Sequence, residues 1–243
     1  MESLSSTVKW LILGAGGQLG NALVRLLENT ESKQDIKAFD HRQADITNAM
    51  QIEQIVKTFQ PDQIVNAAAW TDVAGAESNI DLANNVNTQG AINVATAAKI
   101  TGASLLHIST DYVYSNSIPF ASENDVPVHC NNWYGYTKLL SDGLIQLRSE
   151  DYLLIRCSHK PSPFVYDNAW IDYVGNFDYV DTIATLIIDC INKDLSGVYN
   201  VGTDVKTMFD LANETNVVES SFTPSHVPNN LSMDLTKLKS SLP

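Results

Sequence analysis

The junction between an apolar run, Val8–Leu13 (VKWLIL), and the glycine-rich GAGGQLG at 14–20 constrains this chain more than any other segment. A short continuous apolar run predicts a strand buried on both faces, which requires a parallel sheet covered by helices. Glycines at 14, 17 and 20 allow unusual dihedrals and close backbone approach. The following Gln18–Glu28 reads as a helix with Leu19, Leu23, Leu26 and Leu27 on one face. Such a strand–turn–helix unit presents backbone N–H groups and a partial positive charge, which suit the pyrophosphate of a dinucleotide. Gly14, Gly17, Gln18 and Leu19 are its candidate contacts.

The rest of the chain repeats the alternation. Strands are expected at 35–39, 63–66, 103–109, 152–157 and 197–201. Helices are expected at 47–58 (capped by Thr47), 80–101, 134–148 and 181–192. Residues 116–132 read as a loop, and the chain beyond Asn216 as irregular. This order implies an α/β fold, a doubly wound parallel sheet of Rossmann type with right-handed crossovers.

Fifteen Lys and Arg against 28 Asp and Glu give a net charge of -13, a field that disfavours nucleic acid and anionic membrane surfaces. No apolar run reaches the roughly 18 residues of a membrane span, and MESLSSTVKW has no apolar leader core. Cys130, Cys157 and Cys190 are odd in number and lack CxxC spacing. Reduced, buried thiols in a cytoplasmic setting are expected, and no metal site.

Three further clusters carry chemistry. The second strand ends in Asp40-His41-Arg42: a carboxylate there suits the ribose hydroxyls of NADH, and an Arg suits the 2′-phosphate of NADPH. Arg42 reads equally as a solvated partner of Asp40, and Asp45 either contacts adenine or caps the next helix. Tyr134 and Lys138 are four apart, hence on one face of a helix, where an ammonium would favour the phenolate. Ser109 and Thr110 end the fourth strand, at the sheet edge where open α/β folds bind ligands. One hydroxyl, expected to be that of Ser109, caps the following turn.

Together these features resemble the extended short-chain dehydrogenase/reductases, and within them the dTDP-4-dehydrorhamnose reductases and related nucleotide-sugar 4-ketoreductases. The resemblance rests on GAGGQLG, Asp45-Ile46-Thr47, PDQIVNAAAWT at 61–71, Ala76-Glu77-Ser78, Val86-Asn87, STDYVY at 109–114 and YGYTK at 134–138, most of residues 8–158. It implies NADPH- or NADH-dependent reduction of the C4 ketone of a 4-keto-6-deoxy nucleotide sugar. Thr110 would polarise the carbonyl, Tyr134 donate the proton, and Lys138 hold the nicotinamide ribose. Ile46, Ala67, Ala68 and Ala69 would lie along the cofactor and Asp111 would contact the sugar. Trp70 could stack on a base or sugar, or pack in the core; Lys160 could meet a diphosphate, or be a solvated loop lysine. A homodimer is left open.

The chain departs from the family at Ala74, where an Asp is usual, and at His159 and Lys160, where a Trp and an aromatic or aliphatic residue are usual. The motif at 175–181 also arrives early. The expected division is a dinucleotide-binding domain at 1–158 and a small, reduced substrate lobe at 159–243, with 179–201 returning to the sheet. Two other readings stand beside the reductase. One is a non-catalytic dinucleotide-binding subunit resembling the regulatory subunit of methionine adenosyltransferase. The other is an epimerase or dehydratase of the same superfamily; dehydration is disfavoured because Thr110-Asp111 is followed by Tyr112 rather than a second acid.

Overall fold

The computed structural model of the chain describes residues 7–30 and 34–242; the expectation of no leader falls partly on residues 1–6, outside them. The first half runs β1 Val8–Leu13, α1 Gln18–Glu28, β2 Gln34–Phe39, α2 Ala49–Phe59, β3 Gln63–Asn66, α3 Val73–Ser78, α4 Ile80–Asn84, α5 Ala91–Thr101 and β4 Ser104–Thr110. A π-helical segment, Asn85–Gly90, joins α4 to α5, and a 3-10 turn, Asp111–Tyr114, follows β4. The second half continues with α6 Trp133–Arg148, β5 Tyr152–Cys157, β6 His159–Lys160, β7 Asn168–Trp170, β8 Val174–Gly175, β9 Asp178–Tyr179 and α7 Val180–Asn192. It closes with β10 Gly197–Asn200, β11 Lys206–Thr207, α8 Met208–Asn213, β12 Glu219–Ser221, β13 Asn230–Leu231 and α9 Thr236–Ser241.

Six of these strands form one parallel sheet in the order β10-β5-β4-β3-β1-β2. The direction of winding reverses between β1 and β3, so their C-terminal ends open the crevice in which such sheets bind ligands. Leu23 and Leu27 of α1 and Ile183 and Ile187 of α7 cover one face; Ile52 and Val56 of α2 and Val94 and Ala98 of α5 cover the other. Each fully buried Leu or Ile contributes about 2 kcal/mol, so these two layers are the main source of stability.

A smaller core lies beyond β5, where Phe164, Tyr173, Phe177, Leu211 and Leu231 pack together. Very short strand pairs close it: β6 with β9, β7 with β12, and β8 between β11 and β13.

Three expectations need correction. Thr47 does not cap α2, because the Asp45 carboxylate accepts from both its amide (2.9 Å) and its hydroxyl (2.8 Å). Asn48 caps instead, accepting from Gln51 N at 3.1 Å. The helix expected at 80–101 is interrupted by the π-helical segment. There the buried Asn87 side chain accepts from Trp70 N (2.8 Å) and donates to Trp70 O (3.1 Å) and Thr137 Oγ1 (3.0 Å). The region beyond Asn216 is not irregular throughout: β12 and β13 find partners some fifty residues earlier in the chain, and α9 follows.

Candidate active site

Gly14 sits at φ +85, and a Cβ there would lie 2.5 Å from Ala68 N; a Cβ on Gly20 would lie 2.3 Å from Gly14 O. Only glycine therefore lets the turn, the start of α1 and the exit of β3 close on one another. Gly17 is the N-cap of α1 and offers no side-chain cap, so first-turn N–H groups remain for a ligand. Gly16, Gly17, Gln18, Leu19, Ala67 and Ala69 line one end of a cleft of about 550 Å³. Bare backbone donors at one end and small side chains beside them fit a dinucleotide.

Other expected cofactor contacts do not line this cleft. Asp40 follows β2, where its carboxylate accepts from Arg42 N (2.8 Å) and Gln43 N (3.0 Å), and its Cβ lies 3.0 Å from where a Gly16 Cβ would stand. Arg42 is exposed. Asp45 is engaged by Thr47, and buried Ile46 packs against Gly90. Ala68 packs into the sheet core. Trp70 is held by Asn87 and Asp72 and joins Ala76, Ala83 and Tyr134 in a small packing cluster, which favours its core reading over stacking on a ligand.

The other end of the cleft is lined by Ser109, Thr110, Tyr134, Lys138, His159 and Lys160, among others. The start of α6 is fixed by Asn132, which accepts from Gly135 N at 2.7 Å, and by Glu77, which accepts from Trp133 N at 2.8 Å. One turn apart on α6, Tyr134 and Lys138 both enter the cleft. Thr110 Oγ1 accepts from Tyr112 N (3.3 Å) and donates to Asp111 Oδ1 (3.1 Å). Thr110, not Ser109, thus caps the turn; the buried Ser109 hydroxyl has no partner.

Burial raises the Tyr134 phenol above its usual range, Asp111 raises it further, and a hydrogen bond with Thr110 opposes them. The expected lowering by Lys138 does not prevail. Lys138 Nζ is turned to Ile108 O (2.7 Å) and His107 Nε2 (3.3 Å). Burial brings Lys138 down to about 8, against the pull of Asp142. Asp111, packed behind Thr110 rather than lining the cleft, is pushed by burial to about 6; Lys160 opposes that rise, and Oδ2 has no partner. Burial likewise lowers Lys160, opposed by Asp111, and brings His159 to about 4. The site is therefore a protonated phenol beside a threonine hydroxyl, with an amine one helical turn away: an arrangement able to deliver a proton to a carbonyl oxygen.

Sequence reasoning missed His107, Asn66 and the positioning role of Asn87. All three are polar side chains buried within regular elements, and that pattern was the available signal. Among the described residues no group of His, Cys, Asp or Glu could hold a metal ion, and no helix is long and apolar enough to cross a membrane.

Residues 8–186 match the RmlD substrate binding domain, nearly three quarters of the chain. The chain belongs to this family. It is 32% identical over 190 residues to a dTDP-4-dehydrorhamnose reductase of Aggregatibacter actinomycetemcomitans, a match covering 77% of this chain and 59% of the relative. It is 29% identical over 234 residues to a dTDP-4-keto-6-deoxy-D-glucose reductase of Streptomyces niveus, covering 86% and 78%. The crystal structure of a dTDP-4-dehydrorhamnose reductase of Bacillus anthracis in complex with NADP superposes with a TM-score of 0.85 at 28% identity, over 98% of this chain and 93% of that one. A Thermus thermophilus UDP-glucose 4-epimerase in complex with NAD shares the fold at 17% identity and a TM-score of 0.79, covering 96% and 92%. The chain spans less than two thirds of the Aggregatibacter relative, and 58% of a Bacillus subtilis spore coat polysaccharide biosynthesis protein, SpsK.

Proposed function

We propose that the chain is an NAD(P)H-dependent reductase of the C4 ketone of a 4-keto-6-deoxy nucleotide sugar, acting in deoxysugar biosynthesis. The observation that carries this reading is the single cleft into which the glycine turn, Thr110, Tyr134 and Lys138 all open. The family relatives named as reductases, and the NADP complex of the Bacillus anthracis enzyme, support it.

On this reading Gly17, Gln18 and Leu19 hold the pyrophosphate, Ala67 and Ala69 leave room along the cofactor, and Asp40 meets the adenosine ribose. A bound nicotinamide supplies the hydride. Thr110 orients the ketone oxygen, and Tyr134, kept protonated by burial, gives its proton to that oxygen as negative charge develops there. Lys138 holds the nicotinamide ribose. Lys160 meets the sugar's diphosphate, and Asp111 accepts from the Thr110 hydroxyl from behind the cleft wall. Residues 1–158 and the returning 179–201 serve the cofactor, and the remainder of 159–243 the substrate. The reading carries a cytoplasmic setting, reduced cysteines, and room for a homodimer.

Purified protein should consume NADPH or NADH when given dTDP-4-keto-L-rhamnose or a UDP-linked 4-keto-6-deoxy sugar. Tight cofactor binding without turnover across such a panel would instead favour the non-catalytic subunit. Arg42→Ala should weaken NADPH more than NADH; equal weakening would make Arg42 a solvated surface group.

A further inference from the structure

Beneath the cleft, three buried polar side chains from three elements form one line. Asn66 at the end of β3, His107 of β4 and Lys138 of α6 are each no more than 2% exposed. Asn66 Nδ2 lies 3.2 Å from His107 Nδ1, and His107 Nε2 lies 3.3 Å from Lys138 Nζ. Packing does not require a polar ring here, because its strand neighbours Leu105, Leu106 and Ile108 are apolar.

The donors and acceptors along this line admit few arrangements. Ala68 N–H can only donate, and it lies 3.3 Å from Asn66 Oδ1. The amide therefore turns its NH2 toward the ring, and Nδ1 must accept. Burial, reinforced by Lys138, keeps His107 well below its usual range, so the ring is neutral and carries one proton. With Nδ1 accepting, that proton sits on Nε2 and points at Lys138. An amine nitrogen can accept it; an ammonium, having no lone pair, cannot.

We propose that His107 is a positioning residue for Lys138, fixed by Asn66 as the Nε2–H tautomer so that it faces the amine as a donor. The ring thus disfavours the third proton on Lys138, and this adds to burial in bringing that group toward neutrality. Ile108 O, 2.7 Å from Nζ, accepts from either form. The other ionisable groups facing Lys138 are Asp142, on its own helix and already paired with Arg156 at 2.9 Å, and Cys157 of β5, whose thiol burial pushes up to about 12. Neither reaches the amine as a hydrogen-bond donor in the way His107 does. If the chain is the reductase proposed above, this placement sets the alkaline limit of turnover.

The test combines nitrogen-15 NMR of histidine-labelled wild-type protein near pH 9, above the Lys138 value of about 8, with the pH profile of a His107→Phe variant, whose spectrum also assigns the His107 signals. The expected spectrum shows a protonated, pyrrole-like Nε2 and an unprotonated, pyridine-like Nδ1. The alkaline limb of turnover is expected to move up by about one pH unit in His107→Phe, because a donor opposing the ammonium is removed. A ring protonated on Nδ1, a doubly protonated ring, or a limb that stays or moves down overturns the inference. The NMR result does not depend on turnover. A pyrrole-like Nε2 in a protein with no activity on any ketosugar therefore defeats the reductase reading while this inference stands.

Discussion

Tyr134 and Asp111 show how burial sets chemistry side chain by side chain. Removing only the Tyr134 hydroxyl, as Tyr134→Phe, deletes the proposed proton donor while the ring keeps its packing against Tyr112, 5.7 Å away centroid to centroid. Turnover should fall by about 10²-fold or more with cofactor affinity nearly unchanged; steady-state kinetics and a fluorescence titration check the two halves. Asp111 has a folded pKa of about 6 against an ordinary value of 3.8, so the native state binds its proton more tightly than the unfolded chain does. Its carboxylate therefore costs stability above about pH 6, and the cost fades as pH falls toward 4. Asp111→Asn should raise unfolding free energy at pH 8 by about 1–2 kcal/mol, less than the full shift implies because Lys160 loses its opposite charge. That gain should vanish near pH 4 in denaturant melts, and a constant gain across pH would contradict the assigned cause.

The elements carry these side chains to one place through a few fixed junctions. The π-helical segment is the least obvious of them: Asn87 ties the loop after β3 to α6 through Trp70 and Thr137. Asn87→Ala leaves the half-buried Trp70 N–H and C=O without their side-chain partner, while Thr137 Oγ1 keeps its bond to Tyr134 O at 2.9 Å. It should cost about 2 kcal/mol in chemical denaturation, and it should also raise KM as the walls of the cleft loosen. The glycine turn, the sheet strands and the Tyr134–Lys138 spacing were legible in the sequence because each depends on neighbours within one turn or one strand. The π-helical segment was not, since the 80–101 pattern remains near helical period and only the partners of Asn87 mark the break. His107 was hidden for a related reason. Its meaning lies in Asn66 and Lys138, 41 residues before and 31 after it, which the LLHIST strand alone does not show.

At the scale of the molecule, a buried polar network built around one ion pair ties several elements together. Arg156 Nε donates to Asp142 Oδ2 at 2.9 Å, both side chains being almost fully buried. The same guanidinium donates to Tyr114 OH (2.7 Å) and Glu123 O (2.9 Å), and Tyr114 OH donates to Asn200 Oδ1 (2.7 Å). Asn200 Nδ2 reaches on to Ala121 O (3.0 Å) and Asp234 O (3.2 Å), so β5, α6, the 116–132 loop, β10 and the approach to α9 share one set of bonds. Asp142→Ala would strand a buried guanidinium and should destabilise the whole fold by about 3–5 kcal/mol in a denaturant melt. The smaller lobe was the least legible part of the sequence, because its two- and three-residue strands carry no periodicity and are defined by distant partners. The chain nevertheless returns to the main sheet through α7 and β10, which pairs with β5.

The central claim is that this one cleft moves a hydride from a nicotinamide to a sugar ketone. Its most direct test is isotope transfer: wild-type protein incubated with NADPH deuterated on the transferable C4 position of the nicotinamide and with dTDP-4-keto-L-rhamnose, the product analysed by NMR. The account predicts one deuterium at C4 of the product sugar, and a large loss of that signal in Tyr134→Phe. Tight NADPH binding by folded protein with no deuterium in any sugar product would contradict it.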